Sequence, residues 1–435
     1  MIFSFLVIFL LIIAAVILNI PLVYPLLIGL IILSFTTYRI GYSIKEIVFM
    51  IFKGGKKSLS IIRIFVLIGA VTAVWMACGT VEVIVFYGIK LINPNLFVLY
   101  AFLITSITSF LLGTSFGTVG TIGIALMVLA KGGGVNVNVA GGAIIAGAYF
   151  GDRCSPMSSM ANLVSEITDT NIYENFKNMF KNTIIPYIIS LIIYFFISSA
   201  YKMNISGNIL EQELINNFNL GFITILPALL IFAFVFLKID VKKAMLGSIV
   251  VGMIIAILAQ KTSFISLLKY IIFGFSMDSS SELSKVMKGG GILSMLKIAG
   301  IVLLSFSYSV IFEETNMLKK IEGLVDRLSL KLGVFTTTLI IAIITATASF
   351  TQALCVILTN QLVKKLYNKD DKYQLSLALS NTSVMVSGLI PWNIASLVPA
   401  SMLSLGAGFI PFAVYMYLVP IINLLMNKKI RKRYA

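Results

Sequence analysis

Two apolar runs open the chain, and each is long enough to cross a lipid bilayer as a helix. Residues 1–19 and 21–37 are joined by a turn that carries no charge, and about 20 mainly apolar residues span the hydrocarbon core. The rest of the chain is similar, because 59% of its 435 residues are hydrophobic and only 11% are charged. Since soluble domains carry about 25% charged residues, the sequence predicts an all-helical polytopic membrane protein. Residues 1–19 lack a basic leader and a small-residue cleavage site, so we expect a retained helix there.

The Lys and Arg residues, which give the chain a formal net charge of +16, are grouped in short clusters beside apolar segments. Clusters of this kind mark the cytoplasmic loops of multi-pass proteins. Those at residues 53–57, 238–243 and 428–433 therefore predict cytoplasmic termini, with the connections at residues 203–219 and 261–288 facing outward. The expected location is the cell (inner) membrane, and nucleic acid is not an expected partner.

Two segments have the pattern of short amphipathic helices at the membrane interface. The first is residues 40–52, after which the chain is expected to re-enter the bilayer at Leu59 and leave it near Gly79. The second is residues 264–275. We expect both to lie beside, rather than inside, the membrane-spanning helices.

Three cysteines and no histidine narrow the possible functions. The cysteines lie in apolar or motif contexts, so no disulfide framework is predicted. The absence of histidine removes the commonest metal ligand and general base. With no catalytic constellation in view, the sequence predicts a secondary transporter rather than an enzyme. It needs no cofactor beyond Na⁺ and H⁺ as transported or coupling ions.

Hydroxyl residues and glycines interrupt the apolar sequence between residues 108 and 162. The interruption begins at Gly113-Thr114-Ser115-Phe116-Gly117-Thr118 and ends with Gly151-Asp152-Arg153-Cys154-Ser155-Pro156. In a bilayer, non-helical backbone is tolerated only where it is buried in protein or lines a watery cavity. The segments 97–130 and 139–164 are therefore predicted to be interrupted and to form a site or pathway.

The second half of the chain repeats this plan at a nearly constant offset. Residues 344–350 echo residues 104–110, and Lys288-Gly289-Gly290-Gly291 echoes Lys53-Gly54-Gly55. If the cluster at residues 238–243 is cytoplasmic, Lys288 lies outside whereas Lys53 lies inside. Inverted-topology repeats with broken helices at matching positions are typical of alternating-access transporters.

The repeat sets the predicted organisation of the chain. Residues 1–202 form the first inverted repeat, with signature segments 59–90 and 97–164. Residues 203–217 form an extracytoplasmic connection. Residues 218–435 form the second repeat, with signature segments 288–318 and 335–405. The predicted fold is thus two inverted-topology repeats with broken or re-entrant helices.

Four motifs together resemble the NhaC family of sodium/proton antiporters, within the wider ion-transporter superfamily. They are residues 113–118, residues 147–152 with Ser155-Pro156 and Asn162-Leu163, Trp75 with Gly79-Thr80-Val81, and Leu389-Ile390-Pro391-Trp392-Asn393. The resemblance covers nearly the whole chain. It implies an ion-coupled carrier of the inner membrane, in a family that also contains sodium-coupled exchangers of organic acids and carriers of amino acids.

The sequence departs from the family pattern at two positions. Ser159 stands where the family usually has an aspartate after Ser-Pro-x-Ser, and Asn381 stands where the second half often has an acidic residue. These departures leave the implied fold intact. They bear on which ion or solute is transported.

Residue chemistry indicates where ions bind. A charge in the membrane interior costs about 2.5–3.5 kcal/mol on insertion scales and is rarely idle, which favours Asp152 as the central residue. Adjacent helical residues point in different directions, so pairing of Asp152 with Arg153 is not expected. Sodium prefers oxygen ligands, and Na⁺ is expected at Thr114, Ser115, Thr118 and Asp152. The full set of candidate ion- or substrate-binding residues is Asp152, Thr114, Ser115, Thr118, Ser155, Ser158, Asn162, Glu82, Gln352, Asn381, Thr382 and Asn393.

Some of these candidate residues, and a few others in the sequence, fit a structural role as well as a functional one. Small and hydroxyl residues such as Thr114 and Thr118 also let membrane helices pack closely. Glu82 fits either a cavity or the outer interface, and Trp392 fits either a gate or an interfacial anchor. Glu313 and Glu314 fit a solvated helix end.

Two functions follow. The first is a Na⁺/H⁺ antiporter working by alternating access. The alternative is a Na⁺-coupled transporter or exchanger of a small organic solute, an amino acid or a carboxylate, for which neutral Asn, Ser and Thr side chains suffice. The expected partners are the lipid bilayer, Na⁺, and H⁺ or a small organic solute, with a homodimer as the candidate assembly.

Overall fold

The structure is a computed structural model that describes residues 2–18, 20–91, 93–203, 212, 214–237, 239, 241–277, 289–315, 322–368 and 372–434. Over these residues the chain is helical, and its only extended pairing is an isolated bridge between Phe275 and Gly289. Three sequence predictions lie wholly or partly outside the described residues: the position of Lys288, most of the connection at residues 203–217, and part of the cluster at residues 238–243.

The helices of the first half begin with a pair and a long helix, followed by the segments that carry the motifs. They are α1 (Ile2–Ile17), α2 (Val23–Arg39), α3 (Ile44–Ala77), α4 (Thr80–Leu91), α5 (Phe97–Leu112), α6 (Ser115–Gly132), α7 (Val137–Cys154), α8 (Ser159–Ile167) and α9 (Ile172–Ala200).

The helices of the second half follow a similar order. They are α10 (Leu226–Phe236), α11 (Val241–Leu258), α12 (Phe264–Phe273), α13 (Ile292–Thr315), α14 (Glu322–Leu332), α15 (Val334–Ser349), α16 (Gln352–Val363), α17 (Lys372–Asn381), α18 (Ser383–Ser387), α19 (Ile394–Met402) and α20 (Val414–Tyr434). The 3₁₀ turns Phe222–Ile225 and Ala407–Phe412 precede α10 and α20.

Five helices in the described part of the chain are long and apolar enough to cross a membrane. They are α3, α5 with its preceding turn, α6, α9 and α13. The chain is therefore an all-helical, multi-pass membrane protein by length and composition, as predicted.

The prediction of a separate interfacial helix at residues 40–52 is wrong, because α3 runs without a break from Ile44 to Ala77. Ser43 caps its N-terminus in a capping box with Glu46. Gly54 lies inside this helix and does not end it. A side chain at this position would collide with the backbone of α13 at Phe306 and Ser307. The glycine permits close helix approach there. The segment predicted at residues 264–275 is present as α12.

Helices α3 and α13 run antiparallel and join the two halves. At one end the Gly291 N–H donates to the Gly69 carbonyl at 2.8 Å. At the other end Lys57 pairs with Glu313 at 2.9 Å and Lys53 pairs with Glu314. All four of these charged side chains are well exposed, so the prediction of a solvated end for α13 is confirmed.

The first interrupted segment folds back on itself as a helical hairpin. Helix α5 runs along α7 in the same direction, since Thr105 lies against Gly147 and Ser109 donates to the Ala148 carbonyl. Helix α6 runs along α7 in the opposite direction, because Gly123 faces Ile144 and Gly141 faces Met127. The chain therefore reverses at residues 113–114, beside the C-terminal end of α7.

The second interrupted segment forms a matching hairpin from α15 and α16. The Thr345 and Thr359 hydroxyls are 2.6 Å apart, and the Cys355 thiol faces the Ala342 carbonyl. Helix α18 packs beside α16, where Cys355 also faces the Ser383 carbonyl. The tips of both hairpins lie beside the C-terminal part of α7, a helix whose residues 139–149 are all buried.

Candidate functional site

The tip of the first hairpin is built on a glycine in a left-handed conformation. Gly113 has φ +67° and lies directly against the backbone of Met157, so a side chain has no room there. Thr114 then caps α6, with its hydroxyl accepting from the Gly117 N–H at 3.4 Å. The Thr118 hydroxyl donates back to the Thr114 carbonyl at 2.8 Å. Thr114 and Thr118 thus hold the tip in shape.

A π-helical turn, Val119–Gly123, follows inside α6. Such wide turns are rare and are frequent at functional sites, because they leave backbone groups without their usual helical partners. The turn lies one helical turn from the hairpin tip.

Asp152 lies at the point where the two hairpin tips meet. Its side chain is only 5% exposed. One carboxylate oxygen accepts from the Gln352 amide at 3.0 Å, at the tip of the second hairpin. The backbone N–H and the hydroxyl of Ser115, at the tip of the first hairpin, also face this carboxylate. Asp152, Ser115 and Gln352 are therefore brought together by three different helices.

The same Gln352 amide also donates to the Val384 carbonyl at 3.1 Å. Val384 lies just after the interruption between α17 and α18, where Thr382 has φ −115° and ψ −77°. The Thr382 hydroxyl donates to the Ala378 carbonyl at 2.7 Å. Thr382 thus stabilises the backbone at the second interruption, and among the described residues its side chain forms no hydrogen bond with Asp152.

Arg153 points away from its neighbour, as predicted, and the two residues form no ion pair within the described residues. Its guanidinium is buried among neutral groups: it donates to the Asn381 side-chain oxygen at 3.1 Å, to Tyr415 at 3.2 Å, and also to Thr183. The Asn381 amide nitrogen in turn donates to Asn182 at 3.2 Å. Arg153 therefore ties α7 to α9, α17 and α20.

Sequence reasoning identified Asn381 but missed its partner. The available signal was Arg153 itself, since a buried arginine requires several acceptors. Asn381 supplies an amide oxygen where the family pattern often has a carboxylate. In this chain the arginine is consequently held without a partner of opposite charge among the described residues.

The turn between α7 and α8 is held by its own hydroxyl and amide groups. The Ser158 hydroxyl donates to the Asp152 carbonyl and accepts from the Met160 N–H at 3.1 Å. The Ser155 hydroxyl accepts from the Met157 N–H at 3.2 Å. Asn162 is exposed and donates to the Ser158 carbonyl at 2.7 Å. Ser155 and Ser158 thus shape the backbone beside Asp152, whereas Asn162 lies outside this cluster.

The motif at residues 389–393 secures the tip of the second hairpin. The Trp392 indole donates to the Thr347 carbonyl at 3.0 Å, and the Asn393 amide donates to the Ala346 carbonyl at 2.9 Å. Trp392 is buried, with its ring 5.5 Å from that of Phe9. Both residues therefore satisfy the free carbonyls at the end of α15 rather than facing Asp152.

Glu82 lies elsewhere, on the first turn of α4. It is fully buried and belongs to none of the contacts around Asp152. Of the predicted residues, the structure thus brings together Asp152, Ser115 and Gln352, with Thr114, Thr118, Ser155 and Ser158 shaping the backbone around them.

This arrangement suits a hard monovalent cation or a proton. It offers one buried carboxylate, a hydroxyl and nearby carbonyls at two helix interruptions, which are the ligands that sodium takes in carriers with broken helices. No group of three or more Cys, Asp or Glu side chains comes together in the part of the chain that the structure describes. A multivalent metal centre is therefore not formed by these residues.

Comparison with known proteins gives a consistent set of similarities. The model of the Na⁺/H⁺ antiporter family matches residues 147–427. The Na(+)/H(+) antiporter NhaC of Alkalihalophilus pseudofirmus is 28% identical, over 94% of this chain and 89% of the relative. The Malate-2H(+)/Na(+)-lactate antiporter of Bacillus subtilis is 28% identical, over 91% and 86%. The Arginine/ornithine antiporter ArcD of Halobacterium salinarum is 24% identical, over 90% and 83%.

Proposed function

Because the chain belongs to the Na⁺/H⁺ antiporter family, we propose that it exchanges sodium ions for protons across the membrane by alternating access. The observation that carries this proposal is Asp152, a buried carboxylate held between the tips of two helical hairpins. A Na⁺/H⁺ exchanger must neutralise its site when sodium leaves, and a buried carboxylate does so by taking up a proton. Asp152 is the binding group, Ser115 and Gln352 position it, and Na⁺ and H⁺ compete for it.

The two hairpins also provide the means of alternating access. Each tip is a short break held by a cap, and the two tips contact the same carboxylate from different helices. Movement of one tip away from Asp152 opens the site toward one side while the other tip keeps it closed. The transporter therefore needs no large rearrangement of the α3–α13 contact.

We further propose that residues 1–202 and 218–435 are inverted repeats, with both termini in the cytoplasm. The antiparallel arrangement of α3 and α13 supports this, because these helices occupy equivalent places in the two halves. Cysteines introduced singly at Lys56 and at Lys261, in a cysteine-free background, are expected to react with impermeant reagents from opposite sides. Labelling of both from the same side argues against the inverted topology.

A small organic solute remains the alternative cargo. The neutral Asn381 beside Arg153 supports it, and relatives named as a malate/lactate exchanger and an arginine/ornithine exchanger cover most of the chain. Arg153, however, is wrapped by protein groups and only 1% exposed, whereas Asp152 presents a cation ligand. Cation exchange is therefore our principal proposal.

The test uses purified protein in proteoliposomes that contain a pH-sensitive dye. A sodium pulse is expected to move protons in the wild type and to fail in Asp152→Asn, because the amide keeps the volume and loses the exchangeable charge. Asp326→Asn is the matched control, since that aspartate lies on the surface and pairs with Lys365. A sodium-dependent uptake of a carboxylate or amino acid without any proton movement favours the alternative cargo.

A further inference from the structure

Glu82 is a second buried carboxylate, on a different helix from Asp152. It is 0% exposed. Neither of its carboxylate oxygens accepts a hydrogen bond from another residue in the described ranges. Nothing in the Asp152 site makes use of it.

Such an environment does not suit a charged carboxylate. Burying an isolated ionised group without a partner is so unfavourable that the group is normally neutralised. Helix α4 packs on α3, on the end of α6, on the turn Phe222–Ile225 and on α10. Where α3 and α6 adjoin α4, their titratable groups are the Cys78 thiol, which follows α3, and Lys131 on α6. The turn Phe222–Ile225 and helix α10 carry no titratable group. Lys131 makes no ion pair with Glu82 in the described structure, so Glu82 is neutral only when it holds a proton or a cation.

Polar groups cover the chain break that precedes Glu82. Gly79, with φ +85°, breaks the chain between α3 and α4 one helical turn before Glu82. The Gln260 amide covers this break, donating to the Cys78 carbonyl at 3.2 Å and to the Asn219 carbonyl at 3.0 Å. Asn219 is exposed. The Gln260 side chain therefore lies between the start of α4 and the exposed Asn219.

The first turns of α4 are also mechanically connected to the Asp152 site. Helix α4 packs on the C-terminal part of α6. Helix α6 is continuous from there back to Ser115, which faces the Asp152 carboxylate. A change in charge at Glu82 therefore acts on an element that contacts the ion site.

From this geometry we propose that Glu82 is a second proton-carrying site of the transporter. In each cycle it takes up a proton from the side of the membrane opposite Gln260 and releases it to water on the Gln260 side, in addition to the proton exchanged at Asp152. The inference rests on the proposed Na⁺/H⁺ exchange. It adds that the exchange moves net charge, since two protons then cross for each sodium ion.

The decisive experiment measures sodium and protons in the same proteoliposomes. Radiolabelled sodium uptake and an internal pH dye are recorded together, with the membrane potential set by a potassium gradient and valinomycin. In the wild type, roughly two protons are expected to leave for each sodium ion that enters, because each carboxylate carries one. An inside-positive potential is expected to accelerate the exchange.

The variant Glu82→Gln is expected to reduce the ratio to roughly one proton per sodium ion and to abolish the effect of potential. Glu174→Gln, a change at an exposed glutamate that pairs with Lys177, is the matched control and should behave as the wild type. A wild-type ratio of one, or an unchanged ratio in Glu82→Gln, overturns the role of Glu82 while leaving the antiporter proposal standing. Absence of any sodium-driven proton flux in the wild type rejects both.

A second measurement covers the case in which Glu82→Gln fails to fold. Infrared difference spectra of Asp152→Asn are recorded between about pH 6.5 and pH 9, where exposed carboxylates stay ionised, and so report any other buried carboxylic acid that gains or loses a proton. A protonated-carboxyl band that changes with pH supports Glu82 as a titrating site. A spectrum without such a change shows that Glu82 does not exchange protons.

Discussion

The two helical hairpins share one backbone design and differ in what surrounds it. Each reverses at a residue in the left-handed region, Gly113 with φ 67° and Phe350 with φ 57°. Each continues with a threonine cap: Thr114 accepts from the N–H three residues later, and so does Thr351. The tip conformation is therefore the same in the two halves.

The groups that surround the two tips differ in chemistry. The first tip faces the charged end of α7 and is followed by a π-helical turn. The second tip carries Phe350, whose ring lies 4.4 Å from that of Tyr308, and its carbonyl accepts from the Ile394 N–H at 2.8 Å. The comparison teaches that one backbone motif can serve two purposes: the first hairpin contributes to the proposed ion site, and the second supports that site through Gln352.

The largest loss of stability is expected from removing the Phe350 ring at the tip of the second hairpin. Phe350→Ala deletes a buried aromatic ring while keeping the left-handed backbone, so we expect a loss of about 3–5 kcal/mol in stability. Thermal unfolding in detergent micelles measures it. Phe273→Ala is the matched control, because that ring is 71% exposed. Equal unfolding temperatures for the two variants contradict a bracing role for Phe350.

A smaller loss of stability is expected from replacing Asn381, the residue of the second half that accepts hydrogen bonds from Arg153. Asn381→Leu removes the oxygen that accepts from the guanidinium and leaves buried donors unpaired, which costs about 1–3 kcal/mol. Asn381→Asp keeps an acceptor at the same place and is expected to retain the fold. Unfolding temperatures and sodium-driven proton flux are measured for both. If Asn381→Leu is as stable as Asn381→Asp, the Arg153 cluster does not join the two halves.

Gln352→Leu tests whether the second hairpin contributes to the ion site itself. A hydrogen bond to a charged group is worth about 1.5–3 kcal/mol, so the sodium concentration for half-maximal transport should rise about tenfold or more. Gln374→Leu, a change at an exposed glutamine on α17, is the control. An unchanged sodium dependence places the whole site in the first half.

The smallest loss of stability is expected from breaking the exposed ion pair between α3 and α13. Lys57→Gln breaks the pair with Glu313, and exposed ion pairs contribute about 0–1 kcal/mol. We expect nearly unchanged unfolding temperatures, with a difference that vanishes at high salt. A larger loss of stability shows that this contact, and not the hairpins, carries the connection between the halves.

The positions of the interruptions were predictable from sequence, and the path of the chain through them was not. Glycine and threonine at residues 113–114, and the echo of residues 104–110 at residues 344–350, predicted the breaks. Apolar composition is the same for a helix that crosses the membrane and for one that turns back, so the sequence left broken and re-entrant helices as alternatives. Phe350 in a left-handed conformation was equally hidden, since glycine is the residue normally expected there.

The candidate site was predicted in part. Asp152 and Ser115 followed from an acid beside hydroxyl residues in apolar sequence, and Gln352 from the repeat. The supporting roles of Trp392 and Asn393 depend on which carbonyls the breaks leave free, which only the folded structure reveals. The uninterrupted course of α3 was missed because Gly54 resembles a helix breaker in sequence, although it serves close packing.

The bond between Asp152 and Gln352 has a consequence for how the protein is made, because its two residues are 200 positions apart in the chain. At about 5–20 residues per second, a ribosome needs about 10–40 s to add the second partner after the first. During that interval the nascent chain holds an aspartate whose amide donor does not yet exist. Completion of the ion site is thus a late event of biosynthesis, and chains released before α16 lack it.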